Sequence, residues 1–468
     1  MTARLRDEGG VWRQYYLAVG MFLLLPSWST VTVVDAKKPT RRTTPQHHAV
    51  LFTLPQVPVH TSSTPRIDRQ ELADFIVAGT NYLMTISHTA DQDPLFPGRF
   101  TYITQLHQDL RPSLHTPQYW DDEEHAQDEY NLLRHNGALY ALTQSYQRLQ
   151  RRPITTTTTN SKERAIDKER LLQVIQQGVH YLRDNALLPP PSQQHPQHES
   201  PLLAAWERQD LNDPQSIPTT AKLGGAGLAL LALTQLDLIQ EGAVPLQEVR
   251  ALGNFIATLQ NPRDGSFTCK YHWKTGPDDA WQSLYYPGEA ALGLVELART
   301  EVRLLEHPPK QQRSGTTTTT TKQQQQQDPY PQWLKLAKNT LLYLERYRRE
   351  QPWEAIEPDH WALLATAQLL PLLHQQREDA ATEDKDTKQD DVEYWLIYQH
   401  GIRVATAMIA NSAAAQAQGT DPKTHQHTYG CFTSDMRTCP TATRLEGLCT
   451  SLSRAGDSML VKYKITYI

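Results

Sequence analysis

The stretch Tyr285-Tyr286-Pro287-Gly288-Glu289-Ala290-Ala291-Leu292-Gly293-Leu294-Val295-Glu296-Leu297 leaves this chain few ways to fold. Pro287 suits the first turn of a helix, where its missing N–H costs nothing, and Glu289 meets the positive end of the helix dipole. Beyond Glu289 the residues are small or apolar on nearly every face, so the helix must be covered on all sides. Four further segments open on polar or glycine residues and continue into Ala/Leu-rich runs. They begin at Asn131-Leu132-Leu133-Arg134-His135-Asn136-Gly137, Lys222-Leu223-Gly224-Gly225-Ala226-Gly227, Pro358-Asp359-His360-Trp361 and Thr443-Arg444-Leu445-Glu446-Gly447.

Between them lie segments with apolar residues at helical spacing on one face only: residues 69–87, 170–185, 246–259, 333–348 and 394–418. A one-faced helix needs one neighbour, whereas an all-apolar helix needs neighbours all round. Alternating the two satisfies both if the apolar helices form an inner ring and the amphipathic ones an outer ring. The expected fold is therefore all-α, an (α/α) toroid of about five to six hairpins. Irregular spacing and long insertions argue against a fixed-period solenoid. No sixth pair follows Thr443, so the ring closes with five hairpins, is C-terminally truncated, or is closed by the N-terminal region, for which Lys37 to Pro65 is too polar; truncation is slightly favoured.

Residues 1–36 read as a secretory signal peptide: Arg4, Arg6 and Arg13, an apolar core from Tyr16 to Leu25, and Val34-Asp35-Ala36 as a cleavage site. The alternative is an uncleaved anchor. Cleavage is favoured because the apolar core is shorter than the ~20 residues a span requires. Residues 37–65 form a polar linker, and 66–456 the toroid. Polar insertions are expected near 152–164, 188–200, 310–328 and 377–391, with a tail at 457–468. Of the four cysteines, Cys431 and Cys439 suit a loop-closing disulfide in an oxidising compartment; a zinc site is the weaker reading, since C-x-x-C spacing is missing. No cofactor is implied. The net charge of −5, with no basic block in the folded part, argues against a nucleic-acid partner, and a membrane partner follows only if the signal segment stays uncleaved.

On the helix starts quoted above, the chain resembles the six-hairpin glycosidase-like and terpenoid-cyclase-like toroids. Arg134-His135-Asn136-Gly137, Tyr286-Pro287-Gly288-Glu289, Asp359-His360-Trp361 and Thr443-Arg444-Leu445-Glu446-Gly447 look like inner-helix starts of the glycosidase-like group. Gln260…Asp264-Gly265-Ser266-Phe267 is similar to a repeat of cyclases and prenyltransferases, but it occurs once. The resemblance implies a central cavity whose mouth is lined by the leading ends of the inner helices.

Residues at those ends are the candidates for chemistry. Glu289, Asp359, His135 and His360 are candidate catalytic residues. Arg134, Tyr286, Trp361, Arg444, Glu446 and Asp264 are candidate substrate-binding residues, with Tyr285, Tyr271, His272, Trp273 and Trp281 nearby. Sugar sites use this mixture: aromatic rings stack on the pyranose, Arg binds carboxylates, and paired acids move protons. Each also has a structural reading. Thr443-x-x-Glu446 is a capping box, Glu289 and Asp359 stabilise any helix start, and Asp264 is a turn former. His135 and His360 can be core histidines, Arg134 and Arg444 can tie helix starts together, and Tyr286 and Trp361 can be packing. The expected partner is a carbohydrate and the expected function that of a secreted glycoside hydrolase, lyase or epimerase. The alternatives are a non-catalytic glycan- or protein-binding toroid and a terpenoid- or prenyl-handling protein. No serine-hydrolase elbow, P-loop, dinucleotide fingerprint or HExxH is present.

Overall fold

Lys222 ends a strand and Leu223 begins a helix in which nearly every side chain is buried, from Leu223 through Asp237. This computed structural model describes residues 31–33, 69–101, 130–151, 166–191, 200–210, 212–213, 215–306, 330–381, 388–418, 443–444, 446–448, 450 and 465–467. The expected signal segment, polar linker, Cys431–Cys439 pair and most of the polar insertions lie outside these residues. Leu188 belongs to a strand, and helices run into the 377–391 insertion from both sides, to Ala381 and from Lys388.

The described helices are α1 Arg69–Thr85, α2 Leu132–Arg151, α3 Lys168–Asn185, α4 Leu223–Ile239, α5 Leu246–Thr258, α6 Tyr286–Glu306, α7 Tyr330–Arg348, α8 His360–Ala381 and α9 Lys388–Gln418. Residues 443–444, 446–448 and 450 are also helical. The expected all-α hairpin architecture is what the chain forms. Contacts divide it into a first unit (residues 1–76, 264–266 and 337–468) and a second unit (77–263 and 267–336).

In the second unit α2, α4 and α6 make one layer. Gln147 of α2 donates to Gln235 of α4 at 2.7 Å, and Gln235 donates to Glu296 of α6 at 3.2 Å. Small residues bring α4 and α6 close: a β-carbon on Gly227 would lie 2.6 Å from the Glu289 carbonyl, and one on Gly293 equally near the Gly227 carbonyl. The one-faced helices α3 and α5 make a second layer. They are joined by a bidentate Arg183–Glu248 pair with both contacts at 2.7 Å, and α5 is tied to α6 by Arg250–Glu301 at 2.6 Å. The layer built on the all-apolar α4 and the layer of amphipathic α3 and α5 are the paired helical layers of an α/α toroid. Asp167 caps α3 by accepting from Arg170 N at 3.0 Å, and Ser283 Oγ accepts from Tyr285 N and Tyr286 N at the start of α6.

The connections between these helices add a five-stranded antiparallel sheet: β2 Leu187–Leu188, β3 Ala204–Arg208, β4 Pro218–Lys222, β5 Lys270–His272 and β6 Gly276–Asp278, in that spatial order. Trp206 pairs with Ala221, and Ala221 with Tyr271. Thus connections α3–α4 and α5–α6 are stitched together beside the leading ends of α4 and α6. Residues 86–101 fold into a closed loop. Arg99 bonds Asp93 at 2.8 Å, and His88 bridges Asp93 at 3.2 Å and Thr101 at 2.5 Å.

In the first unit α8 and α9 pack together around Ile356, Leu363, Val404, Ala407, Met408 and Leu448. The short strand Val31–Val33 (β1) pairs with Ile465–Tyr467 (β7). No described helix is long and apolar enough to cross a membrane.

Candidate functional site

The leading ends of α4 and α6 bring together the best-furnished cluster in the second unit. Glu289, in the first turn of α6, is only 5% exposed. Its Oε2 fills the space where a β-carbon of Gly224 would sit, and the Tyr286 ring lies against the same glycine. Tyr286 is half-buried, and its phenol is pushed well above its usual range. Burial is the main cause, and the negative charges of Glu289 and Glu207 add to it. Tyr286 and Glu289 thus meet over Gly224. Glu207, on β3, is held by Lys222 Nζ at 2.6 Å, across the β3–β4 ladder. Buried Cys269 lies close by, its thiol pushed up by burial and further by Glu289.

Glu207 also faces a cavity of about 260 Å³. Phe96, Tyr130, Tyr181 and Trp206 supply its aromatic wall; Asn185, Arg208 and Thr219 join Glu207 on the polar side. These groups are fixed. Arg208 donates to the Asn185 and Ser216 carbonyls, both at 2.7 Å, Thr219 Oγ1 donates to the Glu207 carbonyl at 3.0 Å, and Trp206 Nε1 donates to Leu188 O at 2.9 Å. Burial raises the Tyr181 phenol, which is hydrogen-bonded to Tyr130.

His135 sits behind that wall, fully buried. Its ring lies 5.1 Å from Tyr181, 5.6 Å from Tyr130 and 4.9 Å from Phe100. Nε2–H donates to Gly178 O at 2.9 Å, and burial lowers the imidazole to about 4, so it is neutral at ordinary pH. That environment is a core histidine's. Arg134, one residue earlier, is exposed, while its backbone N–H is capped by Asn131 Oδ1 at 3.1 Å.

A surface strip leads away from Tyr286. Trp281 packs 5.4 Å from the Tyr286 ring, Lys270 Nζ stands 3.9 Å over Trp281, and Leu284 and Tyr285 are 43% and 38% exposed. Of the other loop candidates, Tyr271 is core, His272 is engaged by Thr220 and Asp278, and Trp273 packs on Trp206 at 4.9 Å.

The remaining candidates belong to the first unit, and most have structural work there. Asp359 is fully buried; it accepts from Arg348 Nη2 at 2.9 Å and caps α8 through Ala362 N at 3.0 Å. Burial raises its carboxyl, opposed by the Arg348 charge. Arg348, itself 1% exposed, also donates to His400 Nε2 at 3.2 Å. His360 is buried, lowered to about 3 by that burial, and packed beneath Gly447. Trp361 lies against His360 at 4.4 Å, and Arg444 and Glu446 are half-buried. Asp264 is exposed and closes its own turn by accepting from Ser266 N and Oγ at 2.9 and 2.7 Å, which lowers its carboxyl; Gly265 follows at φ +79°.

Glu207, Lys222, Tyr181, Trp206 and Arg208 were not singled out from the sequence. The run Trp206-Glu207-Arg208, an aromatic between small residues and two opposite charges, was the available signal. Among the described residues, no three His, Cys, Asp or Glu side chains group to hold a metal ion.

No protein-family model and no curated protein matches the sequence. Among solved structures, the chain is similar to one described as a possible member of GH105 family from Klebsiella pneumoniae subsp. pneumoniae MGH 78578. That similarity has 10% identity and a TM-score of 0.37, over 87% of this chain and 98% of that one.

Proposed function

We propose that the chain is a carbohydrate-active protein whose site lies where α4 and α6 begin, between Glu289, Tyr286 and the cavity faced by Glu207. The observation that carries this reading is the meeting of Glu289 Oε2 and the Tyr286 ring at Gly224, two residues along the chain from Lys222, which holds Glu207 at 2.6 Å. In glycoside hydrolysis one carboxyl group protonates the departing glycosidic oxygen. The other, as carboxylate, activates water or attacks the anomeric carbon, and their separation decides which. Glu289, withdrawn from water, takes the first role; Glu207, ion-paired with Lys222, takes the second. The aromatic wall receives the apolar face of a sugar ring, and the Asn185, Arg208 and Thr219 side chains lie where its hydroxyls come.

The Lys222–Glu207 contact of 2.6 Å favours a second reading, glycan binding without turnover, because it occupies one oxygen of the second acid. A terpenoid-handling role calls for a wholly apolar cavity, and Glu207, Arg208, Asn185 and Thr219 make this one polar on one side. The secreted location belongs to the same proposal: residues 1–36 are removed and the mature chain starts at Lys37, which N-terminal sequencing of expressed protein tests.

The deciding experiment is a polysaccharide degradation and glycan-binding screen on the chain from Lys37 onward, repeated with Glu289→Gln and Glu207→Gln. Turnover lost in both variants supports hydrolysis. Binding that survives without turnover in the parent supports recognition alone. A parent that neither binds nor cleaves any glycan rejects the proposal.

A further inference from the structure

Arg208 is built into the cavity wall with much of its hydrogen-bonding capacity unused. A guanidinium offers five N–H groups and carries a permanent positive charge. Nε donates to the Asn185 carbonyl and Nη1 to the Ser216 carbonyl, both at 2.7 Å. These bonds tie the end of α3 to the β3–β4 connection and hold the guanidinium in place. They leave both N–H groups of Nη2 and one of Nη1 over, and two neutral carbonyls do not balance the charge. Among the described residues Arg208 has no further acceptor and no acid partner.

The acids around the cavity are already engaged. Glu207, the acid among the described residues that line it, is paired with Lys222 at 2.6 Å. Asp93, on the loop that supplies Phe96 to the wall, is paired with Arg99 at 2.8 Å. The remaining wall is aromatic and fixed. Phe96 meets Tyr181 edge-on at 6.1 Å, Tyr130 meets Tyr181 at 5.4 Å, and Trp206 Nε1 is fastened to Leu188 O at 2.9 Å. At about 260 Å³ the space falls below the ~300–1,000 Å³ that drug-sized ligands occupy, which leaves room for one six-membered ring and a small substituent.

An apolar guest would strip water from the guanidinium and replace none of its hydrogen bonds. A neutral polyol would accept from its N–H groups and leave the charge unanswered. A carboxylate does both, since its two oxygens match the planar fork of donors. Because Arg208 is already held by two carbonyls, little ordering remains to be done when the acid arrives.

We infer that the cavity of the second unit takes a single six-membered ring bearing a carboxylate, the ring among Phe96, Tyr130, Tyr181 and Trp206 and the carboxylate on Arg208. The inference deepens the carbohydrate reading above by giving the ring a charge, and it depends on that reading only for whether the ring is a sugar or an aromatic.

The test is calorimetry on the chain from Lys37 at neutral pH and low salt, with matched acid and neutral rings. Galacturonate and glucuronate are set against galactose and glucose, and benzoate against benzyl alcohol. The acid of at least one pair binds about tenfold or more tighter than its neutral partner, the scale of a charge-assisted hydrogen bond. Arg208→Gln abolishes that preference. Thr219→Asp does so too while leaving the Arg208 bonds in place, because it sets a carboxylate on the same wall to occupy the guanidinium. Circular dichroism and the thermal midpoint show whether each variant is folded; if Arg208→Gln is not, Thr219→Asp decides. A sugar pair that behaves in this way supports both readings. An aromatic pair alone supports the inference and removes the cavity from the carbohydrate reading. Acid and neutral sugars bound equally overturn the inference and leave the carbohydrate reading standing. A preference for the acid that both variants keep overturns it by placing the acid elsewhere. If none of these rings binds, the inference falls.

Discussion

The carboxylate of Glu289 occupies the space that a side chain on Gly224 would need. Two helices thus share one volume at the point where the proposed chemistry sits, and the absence of a methyl group on α4 sets where an acid on α6 comes to rest. Gly224→Ala is expected to push the Glu289 carboxylate aside. A displacement of about 1 Å costs on the order of a hundredfold in turnover. Steady-state rates on whichever glycan the screen identifies provide the readout, and a normal rate in Gly224→Ala removes Glu289 from the mechanism. Adding Glu289→Asp, which shortens the acid, should recover stability without recovering rate.

Gly227 and Gly137 make a contrasting pair. A β-carbon on Gly227 meets the Glu289 backbone at 2.6 Å, which cannot yield without parting α4 from α6, whereas one on Gly137 meets nothing within 4 Å. Gly227→Ala should destabilise the protein by about 3 kcal/mol. Gly137→Ala, mid-helix and unobstructed, should be neutral or stabilising by up to ~1 kcal/mol. Denaturant titrations of both variants would show the difference, and equal midpoints would contradict the close α4–α6 crossing.

Asp359→Asn should weaken folding far more than its isosteric size suggests. It neutralises the acid hydrogen-bonded to the Arg348 guanidinium buried beside His400 and leaves only Glu357, 3.7 Å away, to balance that charge; breaking a buried pair costs up to about 3–5 kcal/mol. Arg348→Met with Asp359→Leu, which removes both charges, should recover part of that loss. Thermal melts of the three proteins test this. An Asp359→Asn variant that melts with the parent but loses turnover would instead place Asp359 in the chemistry.

Stability should fall on mild acidification. Burial holds His135 near 4 and His360 near 3, and burial with the Arg348 and Arg403 charges holds His400 well below its usual value. The unfolded chain takes up protons at these histidines as pH drops through about 6.5, while the folded chain does not until about 4 or lower. Their stabilising effect is thus fully present above pH 6.5 and is lost progressively below it. His135 alone accounts for on the order of 3 kcal/mol across that window. Asp359, raised by burial, acts in the opposite direction. The melting temperature should drop between pH 7.5 and pH 5, and drop less in His135→Phe, which keeps the ring packing but cannot be protonated. A pH-independent midpoint would contradict neutral burial of these imidazoles.

Helices were readable because their causes are local. Leu223 to Ile239 is apolar all round, and Pro287 with Glu289 announces a start within one turn, so α4 and α6 appear where the pattern puts them. The sheet was not readable to that degree. Strands such as Pro218–Lys222 and Gly276–Asp278 carry no alternation and exist because distant loops supply their partners. The same distance hid half of the site. Glu289 stands out in its own helix, but Glu207 gains meaning only when β3 lies beside Lys222 of β4. Conversely, Asp359 and His360 looked exposed to chemistry because a helix start is all that sequence shows. Arg348 and Gly447, which enclose them, come from other turns of the chain.

The collar of strands has a bearing on how this protein would be handled. β2 and β3 are drawn from one stretch between helices and β5 and β6 from another, yet β3, β4 and β5 are laced edge to edge. A protease that nicks the backbone somewhere between Leu188 and Ala204 would cut a covalent link without parting the pieces, because the β2–β3 ladder and the Arg208–Asn185 bond still clasp both sides. Such a clipped form should run as two bands on a denaturing gel and as one species on a sizing column.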